Sequence, residues 1–161
     1  IKNNLPITVT DLTMTRFMMS LDDAVDLVIY AFLNGENGDI FVKKSPAISL
    51  EYLIKALLDV LNLTNYDLKT IGIRHGEKNY ESLLSSEEQF KAIDLGDYFR
   101  VPNDSKKLDY SKFIDKGNLK NHEDYNSKNT YQLRHEEMKD LLINLPVVKR
   151  FMDELNVMSL K

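Results

Sequence analysis

Arg74, Glu77 and the residues around them are the part of this sequence best suited to chemistry. The run Ile73-Arg74-His75-Gly76-Glu77-Lys78-Asn79-Tyr80-Glu81 sets a fixed cation and two acids around a glycine, at the point where a strand should end. Loops at strand ends commonly hold ligands. A guanidinium fork can chelate a diphosphate, a glycine lets the backbone pass close to a ligand, and a carboxylate can accept hydrogen bonds from a pair of ribose hydroxyls. The same residues also suit a solvent-exposed strand-to-helix turn closed by a weak Arg–Glu surface pair. A second candidate, Met14-Thr15-Arg16-Phe17, sets one cation between apolar neighbours just before the first helix. There it can meet a phosphate or snorkel from a strand edge. The residue types alone leave both alternatives open at both places.

Other chemistries have less to work with. Cysteine is absent, so neither a disulfide nor a thiolate metal site can be built, which suits a reducing cytoplasm. The three histidines, His75, His122 and His135, lie too far apart for a helical metal pair. A net charge of -4 argues against a polyanion partner. The lysines between Lys106 and Lys128 are interleaved with Asp109, Asp115, Glu123 and Asp124, which argues against nucleic acid again. No run of about 18 apolar residues is present to span a bilayer, so no membrane insertion is expected. The opening Ile1-Lys2-Asn3-Asn4 resembles neither a signal peptide nor an initiator methionine, and the expectation is a chain that begins mid-protein.

The elements that must position the candidate residues can be read from periodicity and caps. A chain of 161 residues with 43% hydrophobic and 29% charged residues suits one ordinary compact domain or a piece of a larger one. Ile7-Thr8-Val9 and Arg16-Phe17-Met18-Met19 read as short strands flanking a turn at Thr10-Asp11. Ser20 with Asp23 makes a capping-box-like start to a helix over 21–33, with Ala24, Val25, Leu27, Val28, Ala31 and Phe32 at helical spacing, stopped by Asn34-Gly35. Asp39 to Val42 reads as a short buried strand, and Ser49 caps a second apolar-striped helix to Leu61. Leu68 to Ile73 offers a strand, and Glu81 to Gln89 looks helical. From Phe90 to Arg134 strand signals are weak, and an arm of loops and short elements is expected, packed by Tyr98, Phe99, Tyr110, Phe113, Tyr125 and Tyr131. Two helices, about 136–144 and 147–155, close the chain on either side of Pro146.

Taken in order, Pro6-Ile7-Thr8, Met14-Thr15-Arg16-Phe17, the helix 21–32, Gly38-Asp39-Ile40-Phe41-Val42, Lys44-Ser45-Pro46 and Ile71-Gly72-Ile73-Arg74-His75-Gly76-Glu77-Lys78 form a recognisable series. It resembles the second half of the CapD/CapE-type polysaccharide biosynthesis proteins, nucleotide-sugar 4,6-dehydratases and 4-epimerases of the extended short-chain dehydrogenase/reductase type. Tyr98-Phe99-Arg100-Val101-Pro102 and Tyr125-Asn126-Ser127-Lys128-Asn129-Thr130 resemble the family's carboxyl-terminal extension, so the likeness covers nearly the whole chain. What it implies is an α/β fold: the carboxyl-terminal, substrate-binding part of a Rossmann-type enzyme, of mixed short strands and helices, with an extended carboxyl-terminal arm. Residues 1–89 would bind the nucleotide sugar and 90–161 would be the extension. By the same resemblance Arg16 and Arg74 match the two diphosphate arginines, and Glu77 matches the acid on the uridine ribose.

Two departures bear on activity. None of the six glycines forms a G-x-x-G-x-x-G turn for a dinucleotide. The family's catalytic Tyr-x-x-x-Lys is absent too, because Tyr52 with Lys55 and Tyr66 with Lys69 are each one residue short of that spacing. The resemblance therefore implies that NAD or NADP is held by an amino-terminal half absent from this chain, which itself has no cofactor and no catalytic residue. The implied whole is a cytoplasmic homo-oligomer acting on a UDP-sugar such as UDP-N-acetylglucosamine in capsular or surface polysaccharide biosynthesis. From a different class, the missing glycine-rich turn equally motivates an inactive stand-alone fragment or a protein-interaction domain. An isolated fragment of this kind is expected to expose a large apolar face where the other half docks.

Overall fold

The protein is described here by a computed structural model covering residues 1, 3, 5–103 and 123–159, with side chains to residue 155. In chain order its elements are β1 (Ile7–Val9), β2 (Thr15–Phe17), α1 (Leu21–Asn34), β3 (Ile40–Lys43), β4 (Ala47–Ser49), α2 (Leu50–Val60), β5 (Leu68–Thr70), β6 (Ser82–Leu84), α3 (Ser86–Lys91), β7 (Ile93–Asp94), β8 (Tyr98–Val101), β9 (Tyr125–Asn126), α4 (His135–Asn144) and α5 (Pro146–Ser159). Serine hydroxyls open three of the helices. Ser20 accepts from the Asp23 amide while the Asp23 carboxylate accepts from the Ser20 amide, and Ser85 with Glu88 repeats that reciprocal arrangement at α3. Ser49 accepts from the Tyr52 amide at the start of α2. Pro146 stands first in α5, where its missing N–H costs no helical hydrogen bond.

The chain forms two compact units. One comprises Ile1–Arg16, Ala47–Tyr80 and Gln132–Lys161, the other Phe17–Pro46 and Glu81–Tyr131. In the first, β1 and β5 pair in parallel, Ile7 opposite Leu68 and Val9 opposite Thr70, so the ends of both strands come side by side. Met14 and Ile48 are fully buried there, and α2 packs against α4. In the second, β8 is the central strand of an antiparallel sheet ordered β3-β8-β7, and β6 pairs with β9. Its core is Val42, Leu84, Phe99 and Val101, closed over by Ala92 and Tyr125.

Three expectations need correction. The stretch from Glu81 to Gln89 is not one helix: Ser82–Leu84 is a strand whose Leu84 pairs with Tyr125, and the Ser85–Glu88 capping box delays the helix to Ser86. The strand expected to Ile73 ends at Thr70, and Gly72 follows at φ +83°. Of the Asp39 to Val42 strand only Val42 is buried, while Ile40 is 51% exposed. The aromatics Tyr98, Phe99 and Tyr125 do pack the region after residue 90; Tyr110 and Phe113 lie outside the described residues.

Two motifs singled out in the sequence, Lys44-Ser45-Pro46 and Tyr125 to Thr130, meet in the second unit. The Thr130 hydroxyl donates to the Ser45 carbonyl at 2.9 Å and lies 2.8 Å from the Tyr125 hydroxyl. The Ser45 hydroxyl itself is buried without a hydrogen-bond partner among the described residues. A buried hydroxyl that makes no bond has lost its water for nothing. Ser45→Ala keeps the carbonyl and is expected to leave stability unchanged or raise it by up to about 1 kcal/mol. Urea denaturation of the two proteins checks this, and a loss above about 1 kcal/mol contradicts it.

At the start of α1 the Lys43 ammonium donates to Asp23 at 2.6 Å. That bond, with the Ser20 hydroxyl and amide, holds the Asp23 carboxyl down at about 2 from an ordinary 3.8. A carboxyl whose folded value is depressed stabilises the fold above its unfolded value, and that stability is lost as pH falls through the folded one. The difference in melting temperature between the native protein and Asp23→Asn is therefore expected to be constant above about pH 4 and to shrink steadily between about pH 4 and pH 2. A difference that stays flat down to pH 2 would remove this role.

Candidate functional site

The first unit builds a site at the ends of β1 and β5. After β1 the chain turns at Asp11, whose carboxylate accepts from the Thr13 amide and hydroxyl, both at 2.7 Å. After β5 the Ile71 amide donates to the Val9 carbonyl at 2.8 Å, which extends the parallel pairing by one bond. This brings Thr10 beside the loop 71–79. Within that loop the Glu77 amide donates to the Arg74 carbonyl at 3.1 Å, closing a four-residue turn. Gly76 stands third in it at φ +83°, a conformation that glycine adopts without strain and that this turn geometry demands. The glycine read from the sequence as a close-approach residue thus has a second reason to be there.

The Glu77 carboxylate is the hub. One oxygen accepts from the Thr10 hydroxyl at 3.2 Å and the other from the Arg74 amide at 3.2 Å. An ionised carboxylate offers roughly four acceptor directions, so about two remain for incoming hydroxyls. Thr10, Arg74 and Glu77 line an open depression of about 340 Å³ whose apolar wall is Ile7, Val9, Leu50, Ile54 and Ile71. The volume and the mix of an apolar wall with a few convergent polar groups suit a small organic ligand.

The two arginines stand differently. Arg74 is exposed, and its guanidinium makes no hydrogen bond or ion pair among the described residues. Arg16, on β2, donates to the Thr15 carbonyl at 2.8 Å and to the Lys78 carbonyl at 3.1 Å, and its Nη2 comes within 4.0 Å of a Glu77 oxygen. All three residues picked out in the sequence therefore gather about Glu77. Arg74 and Glu77 line the depression, whereas Arg16 braces the loop behind it. Thr10 and the apolar wall were not singled out in the sequence; a threonine at a strand end carries no signature, and apolar residues at these spacings read as core.

The start of α2 lies beside the depression through Leu50. Its first amides are taken, Leu50 donating to the Met14 carbonyl at 2.9 Å and Glu51 to the Leu12 carbonyl at 3.0 Å. An anion here would depend on side chains rather than on free helix amides. At this junction β4 runs directly from Ser49 into Leu50 of α2, with no glycine turn there to cradle a pyrophosphate. Among the described residues no cluster of metal-ligating side chains occurs, and no helix is long and apolar enough to cross a membrane.

Comparison with known proteins sets this site in context. Residues 1–103 match a family described as polysaccharide biosynthesis protein, and residues 104–149 match one described as polysaccharide biosynthesis protein C-terminal. Over 151 residues the chain is 54% identical to a UDP-glucose 4-epimerase of Rickettsia felis, covering 92% of this chain and 44% of that protein. A UDP-glucose 4-epimerase of Rickettsia bellii is likewise 54% identical with the same coverage. Among solved structures, the X-ray structure of Pen from Bacillus thuringiensis matches with a TM-score of 0.73 and 34% identity, covering 89% of this chain and 41% of that one. The chain thus spans less than half the length of the relatives it matches.

Proposed function

We propose, from the premise that this chain belongs to the polysaccharide biosynthesis protein family, that it supplies the UDP-sugar-binding part of a nucleotide-sugar 4-epimerase or 4,6-dehydratase. The observation that carries this is the shared depression: Arg74, whose guanidinium is exposed, and Glu77 both line it, at the ends of two parallel strands. In this reading Arg74 grips the diphosphate and Glu77 accepts from the ribose hydroxyls. Arg16 adds a second positive charge and keeps the loop 74–78 in place. The apolar wall leaves room for the flat face of a base. Residues 1–89 then carry the nucleotide-binding role, and 90–161 serve as the extension.

One charge-assisted contact from Arg74 to phosphate, worth about 1.5–3 kcal/mol, supplies part of the roughly 8 kcal/mol of a micromolar complex, and the ribose contacts at Glu77 and the apolar wall add to it. Binding energy at the nucleotide positions the sugar for chemistry done elsewhere. Hydride transfer at the sugar belongs to NAD or NADP, held by polypeptide outside the matched segment, because this chain has neither the glycine turn nor the Tyr-x-x-x-Lys pair. The complete enzyme is a homo-oligomer in this reading.

The test is a calorimetric series with UDP, UMP and uridine on this chain. The expected order is UDP tightest and uridine weakest, since the phosphates carry the charge that Arg74 grips and that Arg16 attracts from behind the loop. Equal affinity for all three would eliminate the diphosphate role.

A further inference from the structure

We infer that the open face of α1 is the docking surface for the amino-terminal polypeptide of this family, the part that lies outside the match to this chain. The inference rests on the reading that this chain is one portion of a larger nucleotide-sugar enzyme, and it names the surface where the two portions meet. Helix α1 has two faces and buries no residue completely. One face packs inside its own unit: Tyr30 stacks on Tyr98 at 4.1 Å and meets the edge of Phe41 at 5.8 Å, and Asp23 holds Lys43. The other carries Leu21, Val25, Val28, Ile29 and Phe32, which are 81%, 49%, 68%, 51% and 87% exposed. At about 100° per residue these five fall within an arc of about 100°, a continuous apolar stripe.

A solvated helix face would alternate charges along such a stripe. Here the only charges on the exposed part of the helix are Asp22 and Asp26, to one side of it. The stripe is not needed for the unit's own core, which is complete in Val42, Leu84, Phe99 and Val101. Large exposed apolar patches mark interaction surfaces. The occupant follows from length: more than half of each matched relative lies outside the match, and the match runs into the family's carboxyl-terminal model, so the unmatched polypeptide is amino-terminal. An uncharged stripe calls for an apolar partner face, the kind a folded domain presents at an internal packing surface.

Hydrogen exchange on α1 tests this. Three proteins are compared: this chain alone, this chain joined behind the unmatched amino-terminal portion of the Rickettsia felis relative, and that relative at full length. Amides of residues 21–34 are expected to exchange at least about tenfold more slowly in the joined protein than in the chain alone. The aligned helix of the full-length relative should be protected likewise. Val28→Asp with Phe32→Asp should leave the fold and melting temperature of the isolated chain intact, because both side chains are exposed, yet remove the protection in the joined protein. Exchange unchanged in the joined protein together with a fast-exchanging helix in the natural relative overturns the proposal. So does a dimer of the isolated chain, seen in sedimentation, that the double variant abolishes while the joined protein shows no protection; a second copy would then be the occupant. The UDP series reads separately: protection of α1 in the joined protein with no UDP binding supports the docking surface and removes only the nucleotide assignment.

Discussion

Replacing Arg74 with alanine is expected to lower the affinity of this chain for UDP by about 10- to 100-fold while leaving its unfolding transition where it was. The two halves of that expectation have one cause. The Arg74 guanidinium is exposed and makes no bond among the described residues, so its removal strands no buried partner and opens no cavity. What holds the turn is the Arg74 backbone, whose amide donates to Glu77 and whose carbonyl accepts from the Glu77 amide, and alanine retains both. The loss then falls on ligand alone, as one charge-assisted contact. Arg16→Ala should behave differently, because Arg16 ties the Thr15 and Lys78 carbonyls; its removal lowers both UDP affinity and melting temperature. Calorimetry with UDP beside thermal unfolding of each variant separates the two. An Arg74→Ala protein with native UDP affinity would take this arginine out of the site.

That contrast marks the limit of the sequence as a guide. Arg16 and Arg74 look alike as residues, each a cation beside a strand, and the resemblance assigns both to one diphosphate. Their difference arises from a long-range contact, Arg16 reaching a carbonyl 62 positions away, which no local pattern encodes. Glu77 was singled out as an acid beside a glycine after a strand and by the resemblance; its bond to the Arg74 amide, three residues back, is local. Thr10 was not, since its place in the site is set by the parallel register of β1 with β5, some 60 residues apart.

The same rule separates what was legible in the fold. The helix starts at Ser20 and Ser49 were readable because a cap and its partner amide lie three residues apart. The strand Ser82–Leu84 was not, because its partner Tyr125 lies far along the chain and the local acids suggest a helix. Periodicity also showed that α1 has an apolar stripe without showing which way it faces. Of the residues at helical spacing, Val25, Val28 and Phe32 face outward with Leu21 and Ile29, while Ala24, Leu27 and Ala31 are half-buried, and Tyr30 and Asp23 lie on the packed side.

The unit that carries α1 must therefore be held by something other than that stripe, and Leu84→Ala is expected to show what. Leu84 is 1% exposed, and its side chain sits among Val42, Phe99, Val101, Ala92 and Tyr125. Truncation loses the transfer free energy of the removed carbons and leaves a cavity whose cost depends on whether the walls can close. They are poorly placed to do so. Phe99 and Tyr125 meet edge to face with centroids 5.2 Å apart, and the Tyr125 hydroxyl is tied to Thr130. The Lys44 ammonium lies 4.4 Å from the centre of the Phe99 ring. The expected loss is about 3–5 kcal/mol, the upper part of the range for a buried leucine and a large share of the 5–15 kcal/mol that holds a typical domain. Ile40→Ala, at a residue half exposed on β3, should cost under about 1 kcal/mol by the same reasoning. Urea unfolding of both variants measures the difference. A Leu84→Ala loss no larger than that of Ile40→Ala would mean that the Val42–Leu84–Phe99–Val101 cluster does not hold this unit together.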